Sequence, residues 1–221
     1  TPEIYRLTWP EDTTVLAIDR SRDMIERVWP GPRERALLGE WTEPLLEAGS
    51  VQIAICDGGF HLLDYPVGQT ALVAQLARML DRGGRAVFRL FLPPSDAMTP
   101  EAVIAALAAG QIPNMNVLKL RLGHALMRSP EDGVALDAVW TFLHDHIGDR
   151  DAFFADLGPT WKDADVIDLY RGSPARYHFA SLDAVKRLFV QDGAGLFEIV
   201  AVNFPDQLLG DQCPHLIVER K

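Results

Sequence analysis

The feature that most constrains this chain is the rhythm of its first ninety or so residues. Short apolar runs alternate with amphipathic helical stretches. Thr14 to Asp19 (TVLAID) is rich in strand formers and ends in an acid. Ser21 is then placed to cap a helix over Asp23 to Trp29, which Pro30-Gly31-Pro32 stops. Ala36 to Leu38 is a weak strand. Gly49-Ser50 is a turn, and Val51 to Cys56 (VQIAIC) is a clear strand closed by Asp57-Gly58-Gly59. A helix is expected from near Gly68 to Leu80, because Leu72, Val73, Leu76, Met79 and Leu80 share one helical face. Gly83-Gly84 ends it, and Ala86 to Leu92 (AVFRLFL) is the next strand. Near-continuous apolar strands alternating with such helices predict a parallel sheet covered on both faces.

Residues 95 to 180 break the alternation. Thr99-Pro100-Glu101 supplies a cap, a first-turn proline and an acid at the positive end of a helix. Helical patterns follow over Val117 to Met127, Val134 to Ile147 and Asp151 to Leu157, with no strand expected. The alternation resumes with a helix from Ser181 to about Gln191, ended by Gly193. Strands are expected at Phe197 to Phe204 and His215 to Glu219. The expectation is one domain in three parts: a cofactor-binding core (1–94), a helical lid or insertion (95–180), and a closing helix with the last two strands (181–221).

Composition narrows the function. The 221 residues hold 31 acids against 21 bases, a formal charge of -10. That argues against a nucleic-acid partner, since phosphate binding wants a basic face. Two cysteines, Cys56 and Cys213, form neither a disulfide framework nor a zinc site, and this usage suits the cytoplasm. No apolar stretch approaches the ~18 residues that a bilayer requires. His144-Asp145-His146 has poor spacing for a metal, because helical residues two apart do not share a face. No metal is expected.

Open parallel sheets bind ligands outside the carboxyl ends of their strands. Asp19 stands at one such end, where an acid can accept bonds from ribose hydroxyls; it can equally cap the next helix. Glu40 could accept from an adenine amino group and Trp41 could stack on a base, or they are a surface acid and a core tryptophan. Asp57-Gly58-Gly59-Phe60-His61 allows close backbone approach to a ligand, or is a plain turn. Tyr170, Arg171, Arg176, Tyr177 and His178 cluster before the Ser181 helix, as acceptor-facing residues or as a polar loop. Trp140, Phe142, Phe153, Phe154 and Trp161 line an apolar pocket or form core.

Taken in order, these segments resemble the class I S-adenosylmethionine-dependent methyltransferases, in particular the ubiquinone-biosynthesis-like group. "VLAIDRSRDMIERV" is similar to that family's second strand and its acidic ribose ligand. "LLGEW" is similar to the adenine-holding segment, with Glu40 where the family has Asp. "GSVQIAICDGGFHLL" and "ALVAQLARMLDRGGRAVFRLF" resemble the fourth strand, its loop, and the helix and strand that follow. Gln52 and Asp81-Arg82 depart from the usual residues. The resemblance implies a Rossmann-like doubly wound sheet, mostly parallel, with the last strand antiparallel. It implies S-adenosylmethionine as cofactor, leaving S-adenosylhomocysteine as product. It places Asp19, Arg20, Ser21, Met24, Glu40, Trp41, Asp57, Gly58 and His61 at the cofactor. Tyr170, Arg176, Tyr177 and His178 then fall toward the acceptor, and His61 is the one candidate base. The family's Gly-rich loop lies about 20 residues before the acid, so counting back from Asp19 reaches Thr1. The first strand and its loop are therefore expected to lie outside this chain, with Thr1-Pro2-Glu3 as the loop's tail. A small-molecule acceptor is expected, with a homodimer compatible. The alternatives are a non-catalytic relative acting through protein contacts, and a nicotinamide-dependent oxidoreductase.

Overall fold

Strand formers at Ala17–Asp19 (β1) and Ala36–Leu38 (β2) pair in parallel, with Asp19 opposite Leu38. This computed structural model describes residues 2–192 and 195–221. The first element is one helical turn, Pro2–Tyr5 (α1). The expected loop tail at Thr1 and the helix stop at Gly193 lie outside the described residues. Val51–Asp57 (β3) is followed by Val67–Met79 (α2) and Leu80–Arg89 (β4). After these come Pro100–Ala108 (α3), Met115–Leu126 (α4), Val134–Ala135 (β5), Leu136–His146 (α5) and Arg150–Asp156 (α6). Arg176–Tyr177 (β6), Leu182–Arg187 (α7), Phe197–Asn203 (β7) and His215–Arg220 (β8) complete the order.

The main sheet has the order β3-β4-β8-β7. β3 and β4 are parallel, whereas β8 runs antiparallel to both β4 and β7. β3, β4 and β7 therefore point one way and β8 returns between them. β1 and β2 form their own pair, and β5 and β6 a third.

The alternating side chains of the main sheet explain its core. Ala86, Phe88, Leu216 and Val218 face the α2 and α7 side, where Leu72, Val73, Leu76, Val185, Leu188 and Phe189 pack on them. The opposite face carries Ile53 and Ile55, which are 56% and 41% exposed. Among the described residues no helix covers them, which corrects the expectation of helices on both faces. The sequence pattern of β3 is apolar on both sides, but only one side meets a partner.

Residues 95–180 make a second cluster, in which Leu107, Leu118, Leu122, Val139, Leu143 and Ile167 are sealed from solvent. Three of its helices, α3, α4 and α6, start where a side-chain cap satisfies a free N–H group. Ala102 N donates to Thr99 Oγ1 (3.2 Å), Val117 N to Asn114 Oδ1 (3.1 Å) and Ala152 N to Asp149 Oδ1 (3.1 Å).

Several boundaries differ from expectation. The Asp23–Trp29 helix is a π-helical turn over Met24–Val28. The Ser181 helix likewise passes into a π-helical turn over Leu188–Asp192. β4 starts at Leu80, and Gly83 (φ +79°) sits in an irregularity within it, not at a turn before it. The insertion is not purely helical: β5 and β6 pair antiparallel, Val134 with Tyr177. Two 3-10 turns, Pro159–Trp161 and Ala164–Tyr170, also fill its latter half.

Candidate functional site

The carboxyl ends of β1, β2 and β3 converge through one tryptophan. Trp41 Nε1 donates to Ile18 O at 2.7 Å. Its ring edge also lies against Gly59, where an added Cβ would come within 2.6 Å. Trp41 thus joins the end of β1 to the turn after β3. This brings Asp19, Arg20, Glu40, Trp41 and the glycine turn into one cluster, as the sequence order anticipates. Gly58 in that turn has φ +72°, a conformation that side chains rarely tolerate.

Each polar group in the cluster has a visible commitment. Asp19 Oδ1 accepts from Ser21 N (2.8 Å), and Ser21 Oγ accepts from Met24 N (3.3 Å). Ser21 therefore performs the predicted cap, and Asp19 keeps one carboxylate oxygen free of protein bonds among the described residues. Arg20 Nη1 and Glu40 Oε2 stand 4.0 Å apart, both well exposed, which is a weak pair. Met24, whose N–H donates to Ser21 Oγ, is 41% exposed. A free carboxylate oxygen at Asp19, an acid at Glu40 and an indole at Trp41 suit the ribose and base of a nucleoside. The fit is weaker at Asp57, whose Oδ1 is 2.5 Å from Arg89 Nε, close but poorly aligned for a hydrogen bond.

His61 is not on the open side of its loop. It is 3% exposed and its ring meets Phe91 (4.4 Å), Tyr177 (4.7 Å) and Phe179 (5.4 Å). Burial, followed by the nearby His124, Arg89 and His178, lowers its pKa to about 3. It is a neutral imidazole with two unpartnered nitrogens, wedged between core and insertion. His178 ties the same seam: its N–H donates to His61 O (2.7 Å), its Nδ1 meets Pro130 O (2.8 Å), and Asp64 Oδ1 lies 3.3 Å from Nε2.

The other acceptor candidates have structural commitments. The hydroxyls of Tyr170 and Tyr177 hydrogen-bond at 2.8 Å, and burial raises the pKa of both. Arg176 donates to the carbonyls of Asp132 and Gly133. Arg171 lies over the Trp140 ring. Phe154 and Trp161 stack at 5.1 Å within the insertion's core, which is the plainer reading of those aromatics. His144 and His146 each turn back onto a carbonyl of their own helix, Trp140 O and Phe142 O. Among the described residues no three His, Cys, Asp or Glu side chains gather as a metal site. Cys56, at the end of β3, has its thiol pushed up to about 12 by burial and offers no thiolate.

A second recess was not legible in the sequence. A cavity of about 110 Å³ opens just past the carboxyl end of β4. Pro94, Met98, Arg121, His124, Met127 and Gln212 line it. His124 sits in the last turn of α4, where the helix dipole favours its cation by at most ~2 kcal/mol, or about 1.5 pKa units. Burial lowers it from 6.5 to about 4, so desolvation wins. An aromatic series links this recess to the strand-end cluster. Phe91 lies under Gly58, His61 meets Phe91 at a tilt and stacks on Phe179, and Phe179 meets His124 at 4.1 Å. Only the three-dimensional register, which sets Asp57 opposite Arg89, places the residues after β4 beside the cluster.

No family model and no curated protein matches the chain. Solved structures do. A protein from Rhodobacter sphaeroides, provisionally named a zinc-dependent alcohol dehydrogenase, is similar with a TM-score of 0.59. It is 13% identical, over 94% of this chain and 76% of that one. An S-adenosylmethionine-dependent methyltransferase from Mesorhizobium loti is 14% identical, over 93% and 80%, with a TM-score of 0.49. A protein from Listeria monocytogenes, provisionally named as the same kind of enzyme, is 12% identical, over 94% and 80%, with a TM-score of 0.48. At such identities a likeness speaks for the fold alone: this chain is a mixed α/β domain built on a central sheet, an arrangement it shares with the Rhodobacter structure.

Proposed function

We propose that the chain is an S-adenosylmethionine-dependent methyltransferase acting on a small molecule. The observation that carries this reading is the strand order. β8 returns antiparallel between β4 and β7, the reversed last strand that the sequence resemblance implies. It is supported by the cluster of Asp19, Glu40, Trp41 and Gly58 at the strand ends. The name given to the Rhodobacter protein belongs to that protein.

In this reading Asp19 accepts from the ribose through its free oxygen, Trp41 flanks the base, and Gly58 allows the backbone to approach. S-adenosylmethionine supplies a methyl carbon already activated by its positive sulfur. The chain's task is then alignment and exclusion of water. The insertion does the excluding, because Tyr177 and Phe179 press its end onto His61. The net charge of -10 supports a small acceptor over a nucleic acid.

Calorimetry on the full-length protein with S-adenosylhomocysteine and with NAD tests the reading. Saturable binding of the former is expected, weakened about tenfold or more in Asp19→Asn, whose amide cannot accept a charge-assisted bond. Binding of NAD alone, or of neither, overturns it.

A further inference from the structure

The cavity past β4 holds two groups that its own walls do not satisfy. Arg121, half-buried on α4, has Met98 Sδ at 3.8 Å as its one side-chain partner among the described residues, and no carboxylate pairs with it. A guanidinium carries five donors and keeps its charge throughout the accessible pH range. A thioether is a poor acceptor for it. Beside it, His124 has both ring nitrogens shielded from solvent and without a partner. Of the remaining walls, Pro94, Ala97, Met98, Ala125 and Met127 are apolar, and Gln212 adds one amide.

Size and charge narrow the ligand. The volume of about 110 Å³ is a little less than the ~150 Å³ that encloses benzene in an apolar cavity. Here Pro93 and Asp96 are exposed at the mouth, so a ring can leave one edge in water. A planar carboxylate matches the guanidinium fork in two parallel bonds. A phosphate dianion would meet the Asp96 carboxylate at the rim with only one cation inside. A neutral ring would leave Arg121 unpaired.

We propose that this cavity is the acceptor site and takes a small aromatic carboxylate. Arg121 holds the carboxylate, the methionines and prolines flank the ring, and His124 hydrogen-bonds a ring substituent. Calling the ligand an acceptor rests on the methyltransferase reading; the carboxylate site does not.

The test is a titration of the full-length protein with benzoate, followed by saturation-transfer NMR, with benzamide and inorganic phosphate as matched probes. Saturable benzoate binding is expected, with benzamide and phosphate at least tenfold weaker. Arg121→Gln should weaken benzoate tenfold or more, with Arg121→Lys in between. Ala97→Trp, at an exposed lining residue that belongs to neither buried cluster, should close the mouth and abolish binding even if Arg121→Gln fails to fold. No saturable binding, equal binding of benzamide or phosphate, or benzoate binding that survives both Arg121→Gln and Ala97→Trp overturns the site. S-adenosylhomocysteine is titrated into the same samples. Benzoate binding without it sinks the methyltransferase reading and leaves the carboxylate site standing. The converse result sinks only the site.

Discussion

Gly59 carries more of the strand-end cluster than its lack of a side chain suggests. Its φ of -91° suits any residue, so backbone freedom is not why a glycine stands there. The reason is space, since a Cβ would meet the Trp41 ring at 2.6 Å. Gly59→Ala must therefore push the indole aside and stretch its 2.7 Å bond to Ile18 O. The expected cost is about 1–3 kcal/mol. Thermal unfolding should show it as a fall of roughly 2–4 °C per kcal/mol, with a change in tryptophan emission. Paired with Trp41→Leu, which removes the ring, the loss should be clearly less than additive. Additive losses would mean that Trp41 does not lean on this turn. The Gly-Gly pair was visible in the sequence as a feature allowing close approach, but its neighbour was not. Twenty-odd residues separate Trp41 from Ile18, and only tertiary folding brings them together.

At the scale of elements, the strands and helices of residues 14–92 were legible because their periods are long enough to count. β5 and β6 were not, since two residues each cannot display an alternation. His124 was missed for a related reason. A helix that already carries Asn116, Lys119 and Arg121 among its apolar residues has no pattern that tells a buried imidazole from an exposed one. β3 shows the opposite failure. Its sequence is apolar on both sides, as in a strand between two helical layers, yet Ile53 and Ile55 stand largely open. An uncovered apolar face beside a strand edge promotes self-association. Concentration-dependent association is expected by analytical ultracentrifugation and should be reduced in Ile53→Lys/Ile55→Lys. The melting temperature should change little, because surface substitutions usually stay within about 0.5 kcal/mol. A large drop in stability would show instead that this face is covered in solution.

At the scale of the whole molecule, two hydrophobic clusters meet across a seam of histidines, and that seam sets a pH dependence. His61 comes from the core loop, His124 from α4 of the insertion, and both are buried as neutral rings with pKa values of about 3 and about 4. In the unfolded chain each returns to about 6.5. The folded state thus binds fewer protons than the unfolded one between those values, so stability falls as pH drops below 6.5. The loss continues until pH passes the folded pKa values. At pH 5 each histidine should remove about 2 kcal/mol, from 1.5 pH units at ~1.4 kcal/mol each. The Asp168 carboxylate, held below its usual range by hydrogen bonds from Arg150 and Trp140, acts in the same direction at lower pH. It is half-exposed, so its share is small. His61→Phe isolates the effect. The ring is already surrounded by Phe91, Tyr177 and Phe179, and both its nitrogens are unpartnered, so the substitution removes no hydrogen bond. Denaturant titrations should give similar stabilities for the variant and the parent at pH 7.5. At pH 5 the variant should be about 2 kcal/mol the more stable. Parallel pH profiles for the two proteins would mean that His61 is not neutral in the fold, and that the seam between core and insertion is wetter than its packing implies.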